Sequence, residues 1–191
     1  MRELSLPYGI IDTEVHIDDP LASTRLSWQI EKKLQDLYQT HYNSLVVVCI
    51  GTDRSTGDAL GPLVGTTLMK AYNKKFDIYG NLENPVHAMN LKEITETIYT
   101  KHDKPFIIAI DACLGKVSNI GKVRMQEGPV RPGAGVNKDL NPIGDANITG
   151  IVNVGGFMEY LVLQNTRLHL VTKMAEVISF GLRWGVNSLL D

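Results

Sequence analysis

Two aspartates, Asp58 and Asp111, stand where carboxyl groups could act on water. Asp111 closes the apolar run Pro105-Phe106-Ile107-Ile108-Ala109-Ile110, and Asp58 follows the apolar run Leu45–Ile50 after a short polar loop. Both runs read as strands buried on two faces, which is how parallel strands read. Adjacent parallel strands lie about 4.8 Å apart. Acids at the C-terminal ends of two neighbours can therefore reach one water. Two carboxylates that close cannot both ionise freely, and one pKa rises. The pair then offers one acid and one base, an arrangement that hydrolyses peptides without a metal. Each acid also has a structural role open to it, Asp58 as a helix N-cap and Asp111 as an Asx turn.

Other chemistries are less well served. The loop Gly51-Thr52-Asp53-Arg54-Ser55-Thr56-Gly57-Asp58 has Asp53 where a dinucleotide fingerprint wants its second glycine, and no Gly-Lys-Ser/Thr follows it. The five histidines (His16, His41, His87, His102, His169) show no HxxxH spacing, and only His87 is placed to join the carboxylates as a metal ligand. Cys113 is a candidate nucleophile with no identifiable His or Asn partner. No metal and no cofactor is assigned.

Composition narrows the class. In 191 residues, 19 Lys and Arg against 21 Asp and Glu give a net charge of −2. That balance, with no basic stripe, argues against nucleic-acid partners and against an anionic membrane surface. The longest apolar run is far short of the ~20 residues a membrane helix needs. Two cysteines suit a reducing compartment, and the N-terminus lacks the apolar core of a signal peptide. The expectation is a cytoplasmic protein, with a homo-oligomer left open.

The elements that must position the acids alternate along the chain. Residues 1–20 read as an irregular arm, and Asp19-Pro20 as the start of an amphipathic helix over about 21–41. After the first buried strand, Leu60, Leu63, Val64, Thr67, Leu68 and Ala71 mark a helix with Pro62 in its first turn. Short strands are expected near 76–79 and 86–89. Asn90 and Glu93 then form a capping box for a helix to about Lys101. Lys122–Gln126 alternates as an edge strand does, 127–146 is a long Gly/Pro loop, 148–154 is a strand, and a helix closes the chain from Leu168. This predicts one domain over 1–191, an α/β fold built as a three-layer α/β/α sandwich on a mostly parallel sheet. Ligands of such sheets bind beyond the carboxyl ends of the strands.

Three blocks carry a resemblance: Ile50-Gly51-Thr52-Asp53-Arg54-Ser55-Thr56-Gly57-Asp58-Ala59-Leu60-Gly61-Pro62, Ile108-Ala109-Ile110-Asp111-Ala112, and Arg131-Pro132-Gly133-Ala134-Gly135-Val136. On these, the chain resembles the YyaC-type sporulation proteins, relatives of the bacterial spore germination protease. The likeness to the YyaC type covers most of the chain, and that to germination protease covers roughly 45 to 160. It implies a phosphorylase/hydrolase-like fold shared with hydrogenase-maturation endopeptidases. It also implies an atypical aspartic-type endopeptidase with Asp58 and Asp111 as catalytic acids. The substrates implied are small acid-soluble spore proteins, in the spore or forespore.

The departures matter as well. Where germination protease has His-Pro-Gly-Ser-Gly, this chain has Arg131 and Ala134 in place of His and Ser, and Thr52 replaces an Asn of related sequences. Thr52, Asp53, Arg131, Gly133 and Gly135 are assigned to substrate binding. An arginine near the acids would favour their ionised forms. Two alternatives stay beside the peptidase: a non-catalytic sporulation protein that keeps the fold, and a metal-dependent maturation endopeptidase whose acids meet nickel.

Overall fold

The computed structural model describes residues 14–71, 75–132 and 141–190. Its strands are β1 (Glu14–His16), β2 (Ser44–Cys49), β3 (Asp77–Tyr79), β4 (Pro105–Gly115), β5 (Lys122–Glu127) and β6 (Ala146–Val154). They form one sheet in the order β1-β5-β6-β4-β2-β3. Strands β3, β2, β4 and β6 run parallel, while β5 is antiparallel to β6 and β1 to β5.

Alternation along the strands makes two cores. Leu45, Val47, Cys49, Phe106, Ile108 and Ile110 face α1 (Ala22–Leu37), α2 (Leu60–Lys70) and α5 (Leu168–Leu190). Val46, Val48, Ile107 and Ala109 face the other way, against Leu91 and Ile98 of α3 (Leu91–Lys101). This is the expected three-layer sandwich. Helices α1 and α5 pack closely because glycines on α5 let them. A Cβ at Gly185 would stand 2.6 Å from the Ser27 carbonyl oxygen, and one at Gly181 would press on Leu26. Among the described residues no helix is long and apolar enough to cross a membrane.

Several elements differ from the sequence expectation. Residues 14–16, assigned to an irregular arm, form β1 and pair with Lys122–Arg124. Consequently β5 is no edge, and its alternation reflects a sheet face with no helix over it among the described residues. Helix α1 starts at Ala22 because Asp19 is spent one turn earlier, its Oδ1 accepting the Leu21 N–H at 2.8 Å. It stops at Leu37, short of 41. The strand expected over 86–89 shrinks to a single bridge between Val86 and Ile50. Asn90 does not cap α3 through its side chain. Its Oδ1 accepts the His87 N–H and its Nδ2 donates to the Pro85 carbonyl, so the capping box is replaced by a clasp on 85–87. Helix α4 (Glu159–Gln164) was not legible in the periodicity.

Candidate active site

The loop after β2 is tied at its root before it carries any chemistry. The Ile50 N–H donates to the Ile110 carbonyl at 2.7 Å, and the Gly51 N–H donates to Val86 at 2.8 Å. The Thr52 N–H then donates to the Asp58 carbonyl at 3.1 Å, closing 52–58 into a clasp. Asp58 sits in a 3-10 turn, Gly57–Ala59, that runs straight into α2. Neither that turn nor α2 has a side-chain cap bond, so Asp58 is not used as an N-cap. The seat under it is backbone on backbone. A Cβ at Gly61 would meet the Ile50 carbonyl oxygen at 2.1 Å, and Gly57 lies against Leu163 of α4.

Asp111 is not at the end of its strand. Strand β4 continues to Gly115, but β2 makes its last pair at Cys49 with Ile110. Asp111 is therefore the first β4 residue beyond the reach of β2. Its Oδ1 accepts the N–H of Ala112 at 2.9 Å.

Burial sets the electrostatics. It pushes the Asp111 carboxyl up to about 8, against the lowering effect of the Ala112 N–H and with further raising by the charge of Asp58. Burial also raises Asp58, opposed by the Ser55 hydroxyl beside it. Ser55 Oγ is buried with no partner in full hydrogen-bond geometry, which leaves it free to turn toward that carboxyl. The charge of Asp58 thus reaches Asp111 and, with burial, favours its protonated form.

Sequence reasoning missed what lies beside Asp111 on the sheet. Register pairs Asp111 with Thr149, Thr149 with Arg124, and Arg124 with Glu14. Paired residues share a face, so these four form a polar row across β4, β6, β5 and β1. Arg124 Nε donates to Thr149 Oγ1 at 3.2 Å, and its Nη1 lies 3.9 Å from a Glu14 carboxylate oxygen. The signal was available in Asn147-Ile148-Thr149, which puts polar residues on alternate positions of an otherwise apolar strand.

Cys113 stands next to this row. Burial raises its thiol, while Arg124 and Thr149 pull it down. Nothing here makes it a thiolate nucleophile. Arg124→Gln is expected to slow alkylation of Cys113 by iodoacetamide by about 2–5-fold, because the thiolate fraction falls. Cys49 is fully buried and strongly raised, so it contributes no background. An unchanged rate would show that Arg124 does not act on the thiol.

The remaining assigned residues are more scattered. Thr52 is half-buried in the clasp, Asp53 is exposed at its turn, and Gly133 and Gly135 lie outside the described residues. Arg131 is exposed just after Val130, which bridges to Ile143. It is not among the groups that shift Asp58 or Asp111. Among the described residues, no three of His, Cys, Asp and Glu are grouped to hold a metal ion. His87 Nδ1 instead accepts the Met89 N–H at 3.3 Å. Among the described residues, the two carboxyls alone make a donor set too small for a resident metal.

A family model described as "Protein of unknown function (DUF1256)" matches residues 14–181. The chain belongs to the DUF1256 family. "Uncharacterized protein YyaC" of Bacillus subtilis (strain 168) is 58% identical over 138 residues, 72% of this chain and 67% of that protein. The YyaC-type assignment fits. Among solved structures, the NiFe hydrogenase maturation protease HycI from Thermococcus kodakarensis KOD1 is similar with a TM-score of 0.54 and 17% identity. The match covers 83% of this DUF1256 chain and 99% of that one, and it shows a shared fold.

Proposed function

We propose that this DUF1256 protein is a sporulation-associated endopeptidase in which Asp58 and Asp111 activate water without a cofactor. What supports this is a half-buried Asp111, its carboxyl raised by burial and by the charge of Asp58, at the carboxyl ends of parallel strands. Its fold is peptidase-like, and its motifs resemble those of spore germination protease. Residues 1–191 act as one unit in the spore or forespore cytoplasm, on small acid-soluble spore proteins.

The step balances with two carboxyls. Ionised Asp58 takes a proton from water as the oxygen attacks the peptide carbonyl carbon. Asp111 gives its proton to the carbonyl oxygen, leaving a neutral gem-diol. Collapse sends the proton on Asp58 to the leaving nitrogen and one hydroxyl proton back to Asp111. Because Oδ1 of Asp111 already accepts the Ala112 N–H, the transferable proton sits on Oδ2.

The test is incubation with a purified small acid-soluble spore protein. Discrete fragments are expected, with a rate that falls as pH rises through about 8, where Asp111 loses its proton. Uncut spore protein that co-purifies with the chain would favour the non-catalytic alternative, which the exchange of His and Ser for Arg131 and Ala134 makes concrete.

A further inference from the structure

A strand that outlives its neighbour leaves backbone groups unspent. Strand β2 makes its last bond to β4 where the Ile50 N–H donates to the Ile110 carbonyl, and the chain then turns away so that Gly51 bonds Val86. Strand β4 goes on for five residues, Asp111–Gly115, paired with β6 alone and with a register shift in that pairing between Cys113 and Leu114. In a parallel ladder a residue's N–H and C=O point to one neighbour, and successive residues alternate. Since the Ile110 carbonyl faces β2, the backbone groups of Ala112 face that same side, where no strand stands. Among the described residues nothing pairs with this edge. The Ala112 N–H makes do with the side chain of the preceding residue, Asp111. Residues 105–110 are buried, whereas each of residues 111–115 keeps partial access to solvent.

Unpaired strand edges are normally covered, shortened or charged, because they recruit other chains. This one is left open in the middle of a sheet, at the acid that carries the proton. We infer that the substrate polypeptide binds as an added strand along the free β2-side edge of β4, over Asp111–Gly115. This rests on the endopeptidase proposal and names its substrate class: extended segments of polypeptide without fixed structure, recognised chiefly by main chain. Five residues at about 3.3 Å each give an edge of about 16 Å, enough to align a short segment. Strand spacing places the bound backbone about 4.8 Å from β4, beside the Asp111 carboxyl.

Binding in this way also acts on the acid. A substrate carbonyl that accepts the Ala112 N–H takes it away from Asp111 Oδ1. The group that lowers Asp111 is then withdrawn, and the proton is held until it is delivered to the substrate. Recognition and proton retention share one backbone N–H.

The probe is casein, a polypeptide without fixed structure, and a twelve-residue peptide spanning one bond that the protein cleaves in it. Backbone N-methylation of that peptide, one residue at a time, removes one donor per position. Loss of kcat/KM by about 5–10-fold is expected at alternate residues, with smaller effects between them, because each methylation removes one main-chain bond to the edge. Uniform tolerance, or sensitivity without a two-residue period, overturns the added-strand mode while leaving hydrolysis standing. A second arm does not depend on turnover. In Asp58→Asn protein labelled with nitrogen-15, an excess of casein peptides is expected to slow hydrogen exchange at Ala112 and Leu114. Protection there without cleavage by the parent would retain the strand site and remove the peptidase proposal. No binding, or protection confined to other segments, overturns the inference.

Discussion

Asp111→Asn is expected to stop peptide hydrolysis and, in the same molecule, to stabilise the fold. The loss of activity follows from removing the proton donor, since general acid–base groups contribute about 10²–10⁴-fold. The gain in stability follows from linkage. The folded carboxyl titrates at about 8 against an ordinary value of 3.8. Below the lower value both states are protonated and the group contributes nothing. Between the two the native state binds more protons, so stability falls with rising pH, at most by about 1.4 kcal/mol per pH unit. Above about 8 the whole penalty is present. Asn carries no charge at any pH and keeps an oxygen for the Ala112 N–H. Asp111 retains some solvent access, which tempers the effect to on the order of 2–3 kcal/mol near pH 8. Urea unfolding of both proteins at about pH 4 and about pH 8 measures it. Equal stability at the higher pH, or hydrolysis at the parent rate, would count against a protonated, catalytic Asp111.

Gly61→Ala should be a severely damaging substitution near the site. Its Cβ would come within 2.1 Å of the Ile50 carbonyl oxygen and 2.7 Å of the Ile50 nitrogen. Both are backbone atoms at the end of a buried strand, with no rotamer to yield. Helix α2 would have to lift from β2 and carry Asp58 with it. A cost of more than about 3 kcal/mol is expected, in the range of severe overpacking. Gly128→Ala is the comparison, because φ is +89° there but nothing lies within 4 Å of a Cβ. Only local backbone strain of about 1–2 kcal/mol applies at that position. If the two variants unfold at similar urea concentrations, the close seat of α2 is not what holds the loop.

The layers around the acids were legible because the strongest signals in this sequence are long apolar runs. Leu45–Ile50 and Pro105–Ile110 could be nothing but buried strands, and they fix where Asp58 and Asp111 emerge. What escaped was set by partners far away in the chain. Val15 has an uninformative local sequence, and it becomes a strand only because Val123 offers it an edge. The extension of β4 to Gly115 depends on β6, since Ala112-Cys113-Leu114-Gly115 has no periodicity of its own. Asn90 has the spacing of a cap, yet the turn at 85–87 competes for its side chain and wins. The Arg124 and Thr149 row needed strand register, which one sequence does not supply.

The contact between α1 and α5 joins an early helix of the described chain to a late one. Leu26, Ile30 and Leu34 of α1 are fully buried, and the close approach runs through Gly181 and Gly185. During synthesis that apolar stripe leaves the ribosome well before the helix that covers it. Long-range closure of this kind slows folding and leaves hydrophobic surface open to wrong partners meanwhile. The fold is therefore completed only after α5 has been made. An interrupted chain lacking that helix would present the α1 stripe to chaperones or to aggregates, with the Asp58 loop already translated but not yet supported.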